Sequence, residues 1–211
     1  MNPAFLGAAD PSMRLKAALA AGTHADATLV DALVARCAVE PDFFVRDMLT
    51  WALTRLPPDT TVPRLRDELD SPIGQARSQA LHTLSKIGNS GVYPAITRSL
   101  LQDPDDEVAR SAWRAAVILA PEDQRGNLAA ELAAQLGRGD RTVRLSLSRA
   151  LVALGDVIEP ALRTAADGGD PQVSAHAHAT EMLLNDPEIG FDAAVHEATR
   201  LVALEHKKAT C

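Results

Sequence analysis

Aromatic residues are scarce in this chain, at 3% of 211 residues. β-Sheets draw on aromatic and β-branched side chains. The shortage, set against an abundance of Ala and Leu, favours helix packed on helix, with small Ala permitting close approach. Cysteine occurs twice, at Cys37 and Cys211, in no paired spacing. That excludes a disulfide framework and a Cys-based zinc site. Lysine stands only at 16, 86, 207 and 208, and the net charge is −7. A protein that grips a phosphate backbone gathers many cations, so the balance argues against nucleic acid as the partner. Nowhere do 18 apolar residues run together, and the opening MNPAFLGAADPSM has no basic stretch leading into an apolar run. The chain reads as cytoplasmic, with no export signal and no membrane span.

What is present is a repeat. An Arg behind a small or β-branched residue recurs in Val45-Arg46, Ala76-Arg77, Ala109-Arg110 and Val143-Arg144, and Ser174 holds the slot in a fifth copy. These positions lie 31, 33, 34 and 30 residues apart. Apolar residues fall at −1, +3, +6, +7 and +10 from the slot: Val45, Leu49, Ala52, Leu53 and Leu56 in the first copy, Val143, Leu147, Ala150, Leu151 and Leu154 in the fourth. That spacing marks one face of a helix. Asp103-Pro104, Asp170-Pro171 and Ser71-Pro72 place a cap ahead of a Pro at the first helical position, and Asp42 and Asp140 can cap the other two copies. Gly88 and Gly155 sit where a left-handed C-cap belongs.

A more variable helix is predicted ahead of each copy, over 62–70, 91–102, 122–136 and 156–167. An N-terminal pair is predicted over 11–21 and 26–38, and a last helix over 188–207 that ends in Glu205-His206-Lys207-Lys208, cations suited to a helix C-terminus. One such pair cannot bury its apolar flank alone, whereas stacked pairs can. Pro57-Pro58 and Pro121 interrupt the pattern between pairs. The expected architecture is all-α: a single α-solenoid over 1–211, a right-handed superhelix of five to six helix pairs. Residues 1–40 would cap it, 41–185 would form the repeats, and 186–211 would close it.

The run from Asp140-Arg141-Thr142-Val143-Arg144 to Ala150-Leu151-Val152-Ala153-Leu154-Gly155 resembles HEAT repeats, and Asp103–Ala120 and Ser71–Gly88 follow the same pattern. The short spacing is similar to the bacterial HEAT-like repeats of phycobilisome lyases. Val39–Leu53 and Gln75–Gly88 resemble actinobacterial HEAT domains, some of which are linked to MerR-type DNA-binding domains. Here the first repeat helices begin near residue 11, leaving no room for such a domain. HEAT-like deoxyhypusine hydroxylases hold iron with several His-Glu dipeptides, whereas this chain offers His196-Glu197 alone. HEAT-like DNA glycosylases use a basic groove with aromatics, for which Trp51, Trp113 and Arg149 are the few counterparts. In HEAT repeats the recurrent Arg stabilises the stack, which the resemblance implies for Arg46, Arg77, Arg110 and Arg144, each paired with an acid such as Asp42, Asp106 or Asp140.

Positions +1, +4, +5 and +8 are expected to turn away from the core. By resemblance they line the concave side, so one groove would carry Trp51, His82, Arg114 and Arg149, with Trp and Arg as favoured anchors. His176 and His178 are two residues apart on a helix and point in opposed directions. His178 and Glu181 could share an ion, but two ligands are too few, and this segment reads as a solvated face. Gly137-Arg138-Gly139-Asp140 reads as a turn, not a dinucleotide loop. The expectation is a noncatalytic scaffold with a protein partner and no catalytic residue, cofactor or metal. The alternatives are a DNA-binding or glycosylase-like protein and a regulatory ligand-binding module associated with transcription.

Overall fold

The computed structural model describes residues 3–209, and the side chains of 4–204. Cys211 and the side chains of Glu205, His206, Lys207 and Lys208 lie outside that range. All regular structure among the described residues is helical, and the chain divides into two compact units, residues 1–119 and 120–211.

The first unit contains α1 (Pro11–His24), α2 (Val30–Cys37), α3 (Phe43–Arg55), α4 (Pro58–Asp67), α5 (Gly74–Ile87), α6 (Arg98–Leu101) and α7 (Asp106–Leu119). One layer runs α1, α3, α5, α7, each packed on the next, and α2, α4 and α6 back it. The second unit contains α8 (Arg125–Ala133), α9 (Arg141–Val152), α10 (Glu159–Ala166), α11 (Pro171–Asn185) and α12 (Phe191–Ala209). Here α9, α11 and α12 form one layer, and α8 and α10 the other.

The buried residues are those of the repeat. Val45, Leu49, Ala52 and Leu53 are buried on α3 and Leu56 just after it, and Val143, Leu147, Ala150 and Leu151 occupy the same slots on α9 with Leu154 just after it. Trp113 is fully buried on α7 and donates its indole N–H to the Leu101 carbonyl at 2.8 Å. Asp42, Asp140 and Asp170 accept from the first-turn amides of α3, α9 and α11 as N-caps do.

Several boundaries differ from expectation. Helix α1 is not the first member of a pair: it occupies the same layer as α3, and Arg14 stands 32 residues before Arg46. The repeat therefore begins one copy earlier than the recurrent Arg-centred pattern suggests, because Ala17, Ala21 and Gly22 face α3 where larger apolar residues stand in later copies. The helix expected over 91–102 is reduced to a 3-10 stretch, Ser90–Ala95, and the single turn of α6. Pro94 has no amide to donate and its ring collides with a preceding carbonyl. Asp103 does not cap α7 directly. It accepts from Asp105 N–H, and Asp105 in turn accepts from Glu107 N–H at the start of the helix.

Candidate functional site

Four Arg side chains at this slot reach back over their own helix starts. Arg14 donates to the carbonyls of Ala8 and Ala9, Arg46 to Glu40 and Pro41, Arg77 to Ser71, and Arg144 to Gly139. Two of them also reach the carboxylate in the turn of the following copy: Arg14 holds Glu40 at 2.7 Å and Arg77 holds Asp103 at 3.0 Å. Arg144 instead meets Gln172, and Arg110 pairs with Glu107 one turn back. Asp42 and Asp140, expected as ladder partners, are used as helix caps.

Glu40 is the most enclosed of these acids, with no exposed surface. Arg14 donates to both of its oxygens, Arg36 donates to Oε2, and the Asp42 amide donates to Oε1. Burial alone would raise this carboxyl, but the hydrogen bonds from Arg14 and Arg36 hold it at about 2. Cys37 is buried nearby and burial pushes its thiol up to about 12, so it is an apolar filler and not a nucleophile.

Residues at +1 and +4, expected to face outward, are partly consumed by the contacts between neighbouring helices. Thr50 meets Thr83, Ser78 meets Ser111, and Ser148 meets Thr180, each pair buried. Adjacent helices come so close at these positions that only small side chains fit, and their hydroxyls satisfy one another. His176, expected on a solvated face, is buried. Its Nδ1 accepts from Gly137 N–H at 3.0 Å, while Nε2 lies 3.0 Å from Ser148 Oγ. Nδ1 is therefore the unprotonated nitrogen, and burial lowers the ring to about 4.

What remains open on α3, α5 and α7 is a cavity of about 370 Å³, lined among others by Phe43, Asp47, Gln79, His82, Arg110 and Arg114. His82 and Arg114 are thus brought together. Arg114 is exposed and has only two long contacts, 3.4 Å to the Arg110 carbonyl and 3.4 Å to Ser111 Oγ. Partial burial of its head group at the cavity wall and the Arg110 charge lower its proton affinity, against the opposing pull of Glu107. His82 is lowered by burial, by Arg114 and by Lys86, against the opposing pull of Asp47. At the rim, Phe43 (66% exposed) meets Phe44 (73% exposed) edge to face, and Arg46 lies over the Phe43 ring.

Trp51 turns instead toward α1, where its ring covers Gly22, and it keeps 38% of its surface exposed. Arg149 lies in the second unit, lining a pocket with Leu145, Val152, Leu183 and Phe191. Among the described residues no three His, Cys, Asp or Glu side chains gather where a metal ion could sit. No described helix is long and apolar enough to cross a membrane. Asp47 stands at the outward +1 slot of the first copy and does line the cavity, whereas Phe43 sits just before the repeat's apolar slots and nothing in its own spacing marks a rim.

Residues 41–118, which include all the residues lining the α3–α5–α7 cavity, match the family described as HEAT repeats. The chain is similar to a solved structure, the complex of CpcE and CpcF of phycocyanin lyase from Nostoc sp. PCC7120, at 20% identity. That match covers 98% of this chain and 88% of that one, with a TM-score of 0.49. It is similar also to an engineered protein, at 21% identity over 99% of this chain and 98% of that one, with a TM-score of 0.46. No curated protein matches the sequence.

Proposed function

We infer that this protein is a noncatalytic scaffold that holds a partner protein on the exposed face of its HEAT repeats. One observation carries this reading: α3, α5 and α7 leave a shared, open cavity whose walls hold an Arg with no salt bridge among the described residues, a His and an exposed aromatic rim. Arg and aromatic side chains in such positions are the usual anchors of protein interfaces. The Ser78 and Ser111 hydroxyls in its wall bond to each other, and no hydrogen bond joins either to His82 among the described residues. His82 and Arg114 are the centre of the proposed face. Trp51 is proposed as a further contact through its exposed edge, and Arg149 as a contact in a separate pocket of the second unit.

The test is co-purification from the native cell followed by mass spectrometry. Wild type is compared with Trp51→Ala, Arg149→Ala and the double variant His82→Ala, Arg114→Ala. The double variant should lose the partner recovered with wild type while keeping its helical circular dichroism. Retention of every partner by all three variants would contradict the reading.

A further inference from the structure

We propose that the α3–α5–α7 cavity is a carboxylate-reading peptide site: an Asp or Glu side chain of the partner sits between Arg114 and His82, and its apolar neighbour lies on Phe43. This deepens the scaffold reading and rests on it. The Arg114 guanidinium is planar, and its fork matches the two oxygens of a carboxylate. Its present contacts, at 3.4 Å to Ser111 Oγ and to a carbonyl, leave that fork without a hydrogen-bonded carboxylate among the described residues, since Glu107, the nearby acid, is held by Arg110. By contrast, Arg110 is engaged by Glu107, and Arg46 is turned to the carbonyls of Glu40 and Pro41.

The rest of the lining selects peptide over nucleic acid. Asp47, on α3, makes no ion pair or hydrogen bond among the described residues, and Gln79 stands beside it in the wall. These groups accept hydrogen bonds, as a peptide's backbone N–H groups require. A phosphodiester chain brings repeated negative charge and needs a run of cations to release its counterions. Phe43 and Phe44 add an apolar platform at the mouth, which suits a segment alternating acidic and apolar residues.

His82 gives the site a dependence on pH. It is faced by Arg114 from α7, Asp47 from α3 and Lys86 from its own helix, with Arg46, Arg110 and Glu107 lining the same cavity. Burial first, and then the Arg114 and Lys86 charges, lower its proton affinity. A seated carboxylate would raise its proton affinity, and by reciprocity a lower pH would tighten the carboxylate.

The experiment is an NMR titration of the ¹⁵N-labelled full chain with a short peptide alternating Glu and Leu. Controls are the same peptide with Gln for Glu, and a short single-stranded oligothymidylate. The Glu peptide should shift amides around His82 and Arg114 and bind more tightly as pH falls from about 8 to about 5.5, where its carboxylates stay ionised. Arg114→Ala should weaken it at least about tenfold, and Arg163→Ala, in the second unit, should not change it. The proposal is overturned if the Gln peptide binds equally well, if Arg114→Ala has no effect, if affinity is flat with pH, if no peptide shifts these amides, or if oligothymidylate binds more tightly. Should the peptide fail while co-purified partners still depend on Arg114, the scaffold reading stands and the carboxylate chemistry falls.

Discussion

Glu40 shows what one buried carboxylate does when its oxygens accept from Arg14, Arg36 and the Asp42 amide. The cluster ties α1, α2 and the entry to α3. Its ordinary value is 4.5 and its folded value about 2. The unfolded chain therefore takes up a proton first as acid is added, so the stability from Glu40 is complete above pH 4.5 and is lost as pH falls toward 2. Glu40→Gln leaves Arg14 buried without its anion and should cost about 3–5 kcal/mol. Both Trp residues, Trp51 and Trp113, lie in the first unit, so tryptophan fluorescence during urea unfolding reads that unit. A variant as stable as wild type at neutral pH would contradict this. His176 has the same sign by a different route. It is held neutral, at about 4 against an ordinary 6.5, so its share of stability is complete above pH 6.5 and is lost as pH falls toward 4, roughly 3 kcal/mol in all. NMR titration of its ring protons should show a midpoint near 4, where a midpoint near 6.5 would show the ring open to water.

At the scale of helices, the close approach of α1 to α3 depends on Gly22. A Cβ there would run into the Trp51 ring and would lie 2.8 Å from the Ala52 Cα. Gly→Ala within a helix ordinarily gains about 1 kcal/mol, but here overpacking against backbone should reverse the sign, with a loss of about 1–3 kcal/mol. Gly126→Ala on α8, whose new methyl would meet only Val157 Cγ2 at 3.7 Å, should be neutral or stabilising. Thermal melts by circular dichroism separate the two. A Gly22→Ala protein more stable than wild type would refute the packing. The same pairing explains what could be read from the chain. Helices α3, α5, α7, α9 and α11 were legible because their apolar slots keep the helical period around one Arg or Ser. Helix α1 was hidden because Ala17, Ala21 and Gly22 give a weak apolar signal, although Arg14 is in register. Thr50, Ser78, Ser111 and Ser148 line pockets and yet are buried between helices, because small hydroxyl residues serve equally on a wet face and between closely packed helices. His176 was hidden for the same reason: its partner amide, Gly137, is 39 residues away.

For the molecule as a whole, the all-α fold was legible because repetition amplifies a weak local signal: each copy supports the next. The division after Leu119 left no comparable trace, since Pro121 looks like one more interruption of the kind seen at Pro57-Pro58. The candidate site was legible only in part. His82 and Arg114 stand at outward slots of neighbouring copies and meet, whereas Trp51 is drawn to Gly22 by a contact that no spacing rule expresses. An overall charge of −7 likewise conceals a cavity where Arg114 makes no salt bridge among the described residues. The central claim is that this face, and not the backs of α4 and α6, holds the partner. The most direct measurement is amide hydrogen exchange of the full chain with and without the partner recovered by co-purification. Slower exchange should fall on α3, α5 and α7 at the turns bearing Asp47, His82 and Arg114. Protection confined to α4 and α6, with those turns unchanged, would contradict the account.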